Sequence, residues 1–274
     1  MDIKTHLAGV LSDAELDFVT RSYDVIGDIF ITTIAPELEH KEHIIGQMLL
    51  DMHPHVKVAA KRLGKYSGEF RTRTLAVIGG EKRLTTLHKE NTILLKVDLQ
   101  KMYFTARLAG ERMRVAAMVK PGELVGVFGS GAGPFPLTIA RHSDPARVIG
   151  IEKNPAAHEY ALLNQTVNKA EEKVCFIQGD AAQVIRDYRF LFDRVITMLP
   201  TQHKVLLEPA LSSLTPGGVL HHYAMVEQND TSTVAREIQT ACAKKGLAAS
   251  DITPQRCGHC TPTTDRYCFT VQLL

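Results

Sequence analysis

The segment Leu124-Val-Gly-Val-Phe-Gly-Ser-Gly-Ala-Gly-Pro-Phe135 constrains the chain more than any other. Its apolar run, Leu124 to Phe128, stops at three alternating glycines, Gly129, Gly131 and Gly133. About twenty residues on, a second apolar run, Val148 to Ile151, ends on the acid Glu152. The order reads as strand, tight glycine turn, helix and a second strand closed by a carboxylate. Glycines let the backbone approach a ligand, and an acid at the end of the next strand accepts hydrogen bonds from ribose hydroxyls. The unit predicts a nucleoside-binding sheet.

The spacing narrows the ligand. A dinucleotide site wants G-x-G-x-x-G, whereas Gly133 is followed by Pro134, Phe135 and Pro136. Proline suits the first turn of a helix, where its missing N–H costs nothing. The loop is closer to that of class I methyltransferases, which bind S-adenosylmethionine. Gly179-Asp180 follows the apolar run Val174 to Ile177, where such folds place an acid near the adenine. Asp193-Arg-Val-Ile-Thr-Met-Leu-Pro200 then offers a strand running into a proline turn, where the acceptor substrate is held.

The remaining properties frame this reading. At 274 residues, 45% hydrophobic and 23% charged, the chain reads as one large domain plus a small one. No apolar run approaches a membrane span, so no membrane partner is expected. Met1-Asp-Ile-Lys-Thr-His6 resembles neither a signal peptide nor a transit sequence. Five thinly spread cysteines suggest a reducing compartment, hence the cytoplasm, with the nucleus as an alternative. The net charge of +2 hides a segregation. Residues 1–56 hold 3 Lys/Arg against 10 Asp/Glu, and residues 57–120 hold 15 against 5. Such a basic segment attracts a polyanion by releasing condensed counterions, which points to nucleic acid.

Periodicity sets the expected organisation. Residues 1–20 read as a helical arm, opened at Ser12-Asp-Ala-Glu15 by a capping box. Residues 21–103 read as a small α+β domain facing RNA. It has a strand with a turn at Tyr23–Ile31, an amphipathic helix at His40–Leu50, and strands at Val56–Ala60, Thr74–Ile78 and Ile93–Leu99. Residues 104–120 form a connecting helix, centred on Arg107–Met118. Residues 121–274 alternate strands and helices to Lys244, which implies a Rossmann-like α/β domain with a mostly parallel sheet. The last strand, Tyr267 to Leu273, is expected to pair antiparallel at the sheet edge.

Six segments occur in one order: Ser22-Tyr-Asp-Val-Ile-Gly-Asp-Ile29, Gly68-Glu-Phe-Arg-Thr-Arg73, His88-Lys-Glu-Asn91, Tyr103-Phe-Thr-Ala-Arg-Leu-Ala-Gly-Glu-Arg112, Gly131-Ala-Gly-Pro-Phe135 and Asn154-Pro155. Together they resemble the tRNA guanine-37 N1-methyltransferases of archaea and eukaryotes, over about residues 20–274. A sister group, the wybutosine-pathway aminocarboxypropyl transferases, shares the fold and several motifs. Only some twenty residues precede Ser22, so the further N-terminal domain of many relatives is not expected.

The resemblance implies S-adenosylmethionine as cofactor and the tRNA anticodon stem-loop as partner, with no obligatory protein partner. It implies Glu111 as the general base for guanine N1, Arg71 as the cation stabilising guanine O6, and Tyr103 as a support for the base. Arg112 is then expected beside the cofactor, Gly131 and Gly133 beneath it, Glu152 on its ribose and Asp180 near its adenine. Lys153, Ala181 and Met198 complete the implied contacts. The chain departs from the family at Gly126, where an Asp is usual, and at Met198, where an Asn is usual. The loop also carries one extra residue, Gly129-Ser-Gly in place of Ala-Gly. Two alternatives stand beside methyl transfer, the first because Glu152-Lys153 resembles some members of the sister group, the second because Met198 cannot donate the amide hydrogen bond and Gly126 lacks the acid. One is aminocarboxypropyl transfer; the other is a catalytically decayed tRNA-binding relative.

Cys257-Gly-His-Cys260 has dithiol or zinc-ligand spacing but lacks a following helix, and reads as a loop. His221-His222 and His53-Pro-His55 lack further ligands and read as strand-end and loop histidines. No metal is expected.

Overall fold

The computed structural model describes residues 3–188, 191–227 and 230–274. The chain forms two compact units, Met1–Glu90 with Leu94–Ala106, and Asn91–Ile93 with Arg107–Leu274.

The first unit begins with two short helices, α1 (Ile3–Leu7) and α2 (Asp13–Leu16). Ser12 and Glu15 make the expected capping box, yet the segment is no free arm. Ile3, Leu7 and Leu11 recur at four-residue spacing and are buried in the unit's core beside Phe30, Ile45 and Leu49. Strands β1 (Asp24–Ile26) and β2 (Ile29–Thr32) turn at Gly27, which has φ +57°. Helix α3 (Glu42–Met52) buries Ile45, Leu49 and Met52 along one stripe. Strands β3 (Val58–Arg62) and β4 (Leu75–Gly80) complete a four-stranded sheet in the order β1-β2-β3-β4. A second, two-stranded sheet pairs β5 (Thr85–Glu90) with β6 (Ile93–Asp98); β5 was not anticipated.

The second unit opens with α4 (Ala109–Ala116) and builds a seven-stranded sheet. Its elements in chain order are β7 (Leu124–Phe128), α5 (Pro134–His142), β8 (Arg147–Glu152), α6 (Pro155–Val167), β9 (Val174–Gln178), α7 (Ala181–Tyr188) and β10 (Phe192–Thr197). Helix α8 (His203–Ser212), β11 (Leu214–Glu227), α9 (Thr231–Lys244), β12 (Thr253–Thr261) and β13 (Thr264–Gln272) follow. The sheet order is β12-β13-β11-β10-β7-β8-β9. Strands β11, β10, β7, β8 and β9 run parallel, and β13 and β12 are antiparallel additions. Central strands read as unbroken apolar runs because helices cover both faces of a parallel sheet. Val148 to Ile151 are accordingly all buried.

Three expectations need correction here. The last strand is not the edge, because β12 lies outside β13. The Cys257–Cys260 segment is part of β12 rather than a loop, bulged at Arg256/Gly258 and His259/Thr261. The sheet also hides an ion pair. Buried Arg194 on β10 donates to Glu123 through Nε at 2.7 Å and Nη2 at 2.9 Å, and through Nη2 to the Met118 carbonyl at 2.8 Å. Its Nη1 donates to His221 Nε2 at 2.7 Å. Burial and that guanidinium push His221 down to about 3, so the ring is neutral and accepts at Nε2. Removing one member of such a pair typically costs about 3–5 kcal/mol, because it strands a buried charge. His221 and His222 are therefore interior residues of β11, not strand-end ones.

Candidate functional site

Parallel sheets put ligands at the carboxyl ends of their strands. In the second unit that end gathers the β7–α5 loop, the β8–α6 junction, the β9–α7 junction and the residues after β10. Gly129, Gly131 and Gly133 all have positive φ, at +76°, +57° and +87°. At Gly133 a side chain is doubly excluded, since an added Cβ would sit 2.5 Å from the Phe176 ring. Over Gly131 there is open space. The loop is tied down from behind, where Asn164, wholly buried, donates Nδ2–H to the Ala132 carbonyl at 2.9 Å.

Glu152 closes β8 against this loop. Its Oε2 accepts the Gly131 amide at 2.7 Å and its Oε1 the Asn154 amide at 2.7 Å. Burial pushes the carboxyl above its usual value, while the Asn154, Gly131 and Lys153 amides pull it back. Asn154 then caps α6, accepting from the Ala156 amide with Pro155 in the first turn. Asp180 sits at the end of β9, just before Ala181 opens α7. Lys153 donates to Asp180 at 3.0 Å, and this hydrogen bond is the largest cause holding the Asp180 carboxyl below its usual range. The strand ends thus carry a carboxylate under the loop and a second one beside it.

Met198 continues β10 for one residue, donating its amide to the Phe128 carbonyl at 2.8 Å. Behind it, Thr197 Oγ1 lies 2.8 Å from His222 Nδ1, and His222 Nε2 lies 3.2 Å from His203 Nδ1. Gly126 proves to be an interior strand position, paired with Ile149 and Val195. An added Cβ there would lie 3.1 Å from the Phe192 ring. A side chain at 126 would require the Phe192 ring to give by a few tenths of an ångström.

The residues on α4 are built into the same unit. Arg112 is buried with its guanidinium 6.0 Å from the centre of the Phe135 ring. Glu111 is buried, and its carboxylate is held by Arg114, with Nε to Oε2 at 2.7 Å and Nη2 to Oε1 at 2.7 Å. The Tyr223 hydroxyl donates to the same Oε1. Phe135 in turn meets the Tyr223 ring edge-on at 5.9 Å. One aromatic residue from the glycine loop's helix therefore touches both the Arg112 and the Tyr223 side of Glu111. The sequence reading missed Tyr223, which lies 112 residues from its partner. It also missed Arg114, for which the three-residue offset from Glu111, a helix-surface spacing, was the available signal.

Arg71 and Tyr103 lie together in the first unit, with the guanidinium 5.8 Å from the ring centre. Tyr66 meets Tyr103 edge-on at 4.9 Å, and Arg73 stacks 3.8 Å over Tyr66. Arg71 holds φ +50°, an uncommon left-handed backbone for a residue other than glycine, in the turn closed by the Ser67–Thr72 bridge. A cavity of about 480 Å³ elsewhere in that unit, lined by His43, Ile78, Lys82 and Gln100, contains none of the expected site residues. Among the described residues no His, Cys, Asp or Glu group is arranged for a metal ion. No described helix is long and apolar enough to cross a membrane.

Residues 86–249 match the TRM5/TYW2 methyltransferase domain, and residues 3–83 match the TYW2 N-terminal domain. The tRNA (guanine(37)-N(1))-methyltransferase Trm5b of Pyrococcus abyssi is 38% identical over 213 residues, 78% of this chain and 62% of the relative. The chain thus spans less than two thirds of that relative's length. A crystal structure of Trm5b from Pyrococcus abyssi superposes with TM-score 0.86 at 33% identity, covering 96% of this chain and 78% of that one. The complex of aTrm5 with tRNALeu gives TM-score 0.85 at 27% identity, covering 100% and 78%. The tRNA(Phe) (4-demethylwyosine(37)-C(7)) aminocarboxypropyltransferase of Pyrococcus horikoshii is 28% identical, covering 82% of this chain and 79% of that relative. With three fifths of its length inside the first of these matches, the chain belongs to the TRM5/TYW2 methyltransferase family.

Proposed function

We propose that this protein is an S-adenosylmethionine-dependent tRNA methyltransferase forming N1-methylguanine at position 37, beside the anticodon. The observation that carries the reading is the junction of two parts in one unit. Phe135 joins a glycine loop closed by Glu152 to a helix presenting Glu111 and Arg112. The open space over Gly131 and the Glu152 carboxylate at the strand end fit an adenosine ribose. Gly131 and Gly133 would underlie the cofactor, Glu152 would take the ribose hydroxyls, and Asp180 with Lys153 and Ala181 would flank the adenine. When bound, S-adenosylmethionine supplies an electrophilic methyl group on a sulfonium sulfur.

The chain's own residues do the rest. Guanine N1 is a poor nucleophile while protonated, so Glu111 accepts that proton as the N–C bond forms. Charge displaced onto O6 is met by Arg71, and Tyr103 supports the base. Met198, one residue past the end of β10, would offer the ligands a thioether in place of a side-chain amide donor. The basic segment 57–120 suits the phosphates of an anticodon stem-loop. Relatives named for guanine-37 N1-methylation and a neighbour complexed with tRNALeu support methyl transfer. The match of residues 3–83 to the TYW2 N-terminal domain favours a second reading, aminocarboxypropyl transfer to a tricyclic guanine derivative.

Calorimetric titration tests the cofactor half of this reading. Wild type is expected to bind S-adenosylmethionine, and Glu152→Ala to bind it roughly ten- to a hundredfold more weakly, the value of hydrogen bonds to a charged group. Equal affinity in the two proteins would remove Glu152 from the site.

A further inference from the structure

A carboxylate offers about four lone-pair sites, two on each oxygen. In Glu111 these are filled unequally. Among the described residues Oε1 receives two donors, the Tyr223 hydroxyl and Arg114 Nη2, whereas Oε2 receives one, Arg114 Nε. We propose that Tyr223 is a positioning residue for Glu111: it saturates Oε1 and leaves Oε2 as the oxygen that takes the guanine N1 proton. The proposal rests on the reading of Glu111 as proton acceptor.

Tyr223 is built for a fixed donor role. It is fully buried in β11, where its backbone pairs with Cys268 on β13. Burial, with Cys268 and Glu111 nearby, pushes its phenol well above the usual value, so it stays protonated and donates. A one-residue slip of β11 would send the side chain to the other face of the sheet, so strand register fixes where the hydroxyl lies. The ring packs edge-on against Phe135, two residues beyond Gly133 in the first turn of α5. A single side chain therefore sets Glu111 relative to the helix that carries the cofactor loop. Arg114 does the complementary work, neutralising the buried carboxylate and fixing its plane through a two-point grip.

Tyr223→Phe keeps the ring and its contact with Phe135 but removes the donor. Single-turnover methyl transfer to an unmodified tRNA transcript with guanine 37 is expected to fall roughly ten- to a hundredfold near neutral pH. Cofactor affinity and the KM for the transcript should stay at wild-type values. The acidic limb of the pH–rate profile should move to higher pH, because the ionised carboxylate has lost a donor that favours it. Glu111→Gln/Tyr223→Phe should be no slower than Glu111→Gln alone, since the tyrosine acts through the carboxylate. If Tyr223→Phe does not fold, 3-fluorotyrosine at position 223 keeps the shape, strengthens the donor and should move the acidic limb the other way. A wild-type rate and profile in Tyr223→Phe, a pH-independent loss accompanied by weaker cofactor binding, or multiplicative losses in the double variant would each overturn the assignment. A wild-type rate in Glu111→Gln is the separate outcome that removes the base itself, and the positioning role with it.

Discussion

Glu111→Gln is expected to bind cofactor and tRNA almost normally and to transfer methyl roughly 10²–10⁴-fold more slowly in a single turnover, the usual worth of an aimed general base. Glutamine keeps the size of the side chain, and its one carbonyl oxygen can still accept from Tyr223 and Arg114 Nη2, while its NH2 cannot accept from Arg114 Nε. It lacks the charge that lets Oε2 hold a proton. The exchange also weakens the pairing with Arg114, which lies at the partly exposed end of the cluster, so a melting curve of the variant must accompany the rate. A folded, cofactor-binding Glu111→Gln that reacts at the wild-type rate would mean that the proton leaves N1 by another route.

Arg71→Ala should lower the same single-turnover rate by roughly 10²–10³-fold, the range for losing one donor aimed at developing oxygen charge. Arg71→Lys should recover part of this loss, since it restores charge without the planar fork. The ring contact with Tyr103 places two residues with expected roles at the base in one cluster of the first unit. Were Arg71→Ala to weaken tRNA binding with no change in the saturated rate, the residue would be a phosphate contact and O6 would need another partner.

What the sequence disclosed follows from how local each signal is. The glycine loop, Glu152 and Asp180 were readable because each is a strand end, where an apolar run meets a turn residue or an acid within a few positions. Strand β12 was not readable, because as an outer edge strand it is mostly exposed and carries no apolar alternation. Strand β5 escaped for a similar reason, with Thr85, Leu87 and Lys89 exposed and only Thr86 and Glu90 buried. The N-terminal segment was misjudged from its cap, although Ile3, Leu7 and Leu11 already marked an apolar stripe. Tyr223 had no local signature at all; only folding brings β11 beneath α4. Gly126 stands where the family usually has an acid, and only folding shows that an added Cβ there would lie 3.1 Å from the Phe192 ring.

Methyl transfer to guanine 37 and its alternatives differ in which carbon of the cofactor reaches the RNA, so S-adenosylmethionine is labelled in the methyl carbon in one reaction and in the carboxyl carbon in another. Each is incubated with an unmodified tRNA transcript carrying guanine 37, and in parallel with a tRNA carrying the tricyclic derivative at that position. The expected result is methyl label on the unmodified transcript, recovered as N1-methylguanine, and no carboxyl label on either RNA. Carboxyl label on the tricyclic RNA with none from methyl, or no label on any RNA, would contradict it.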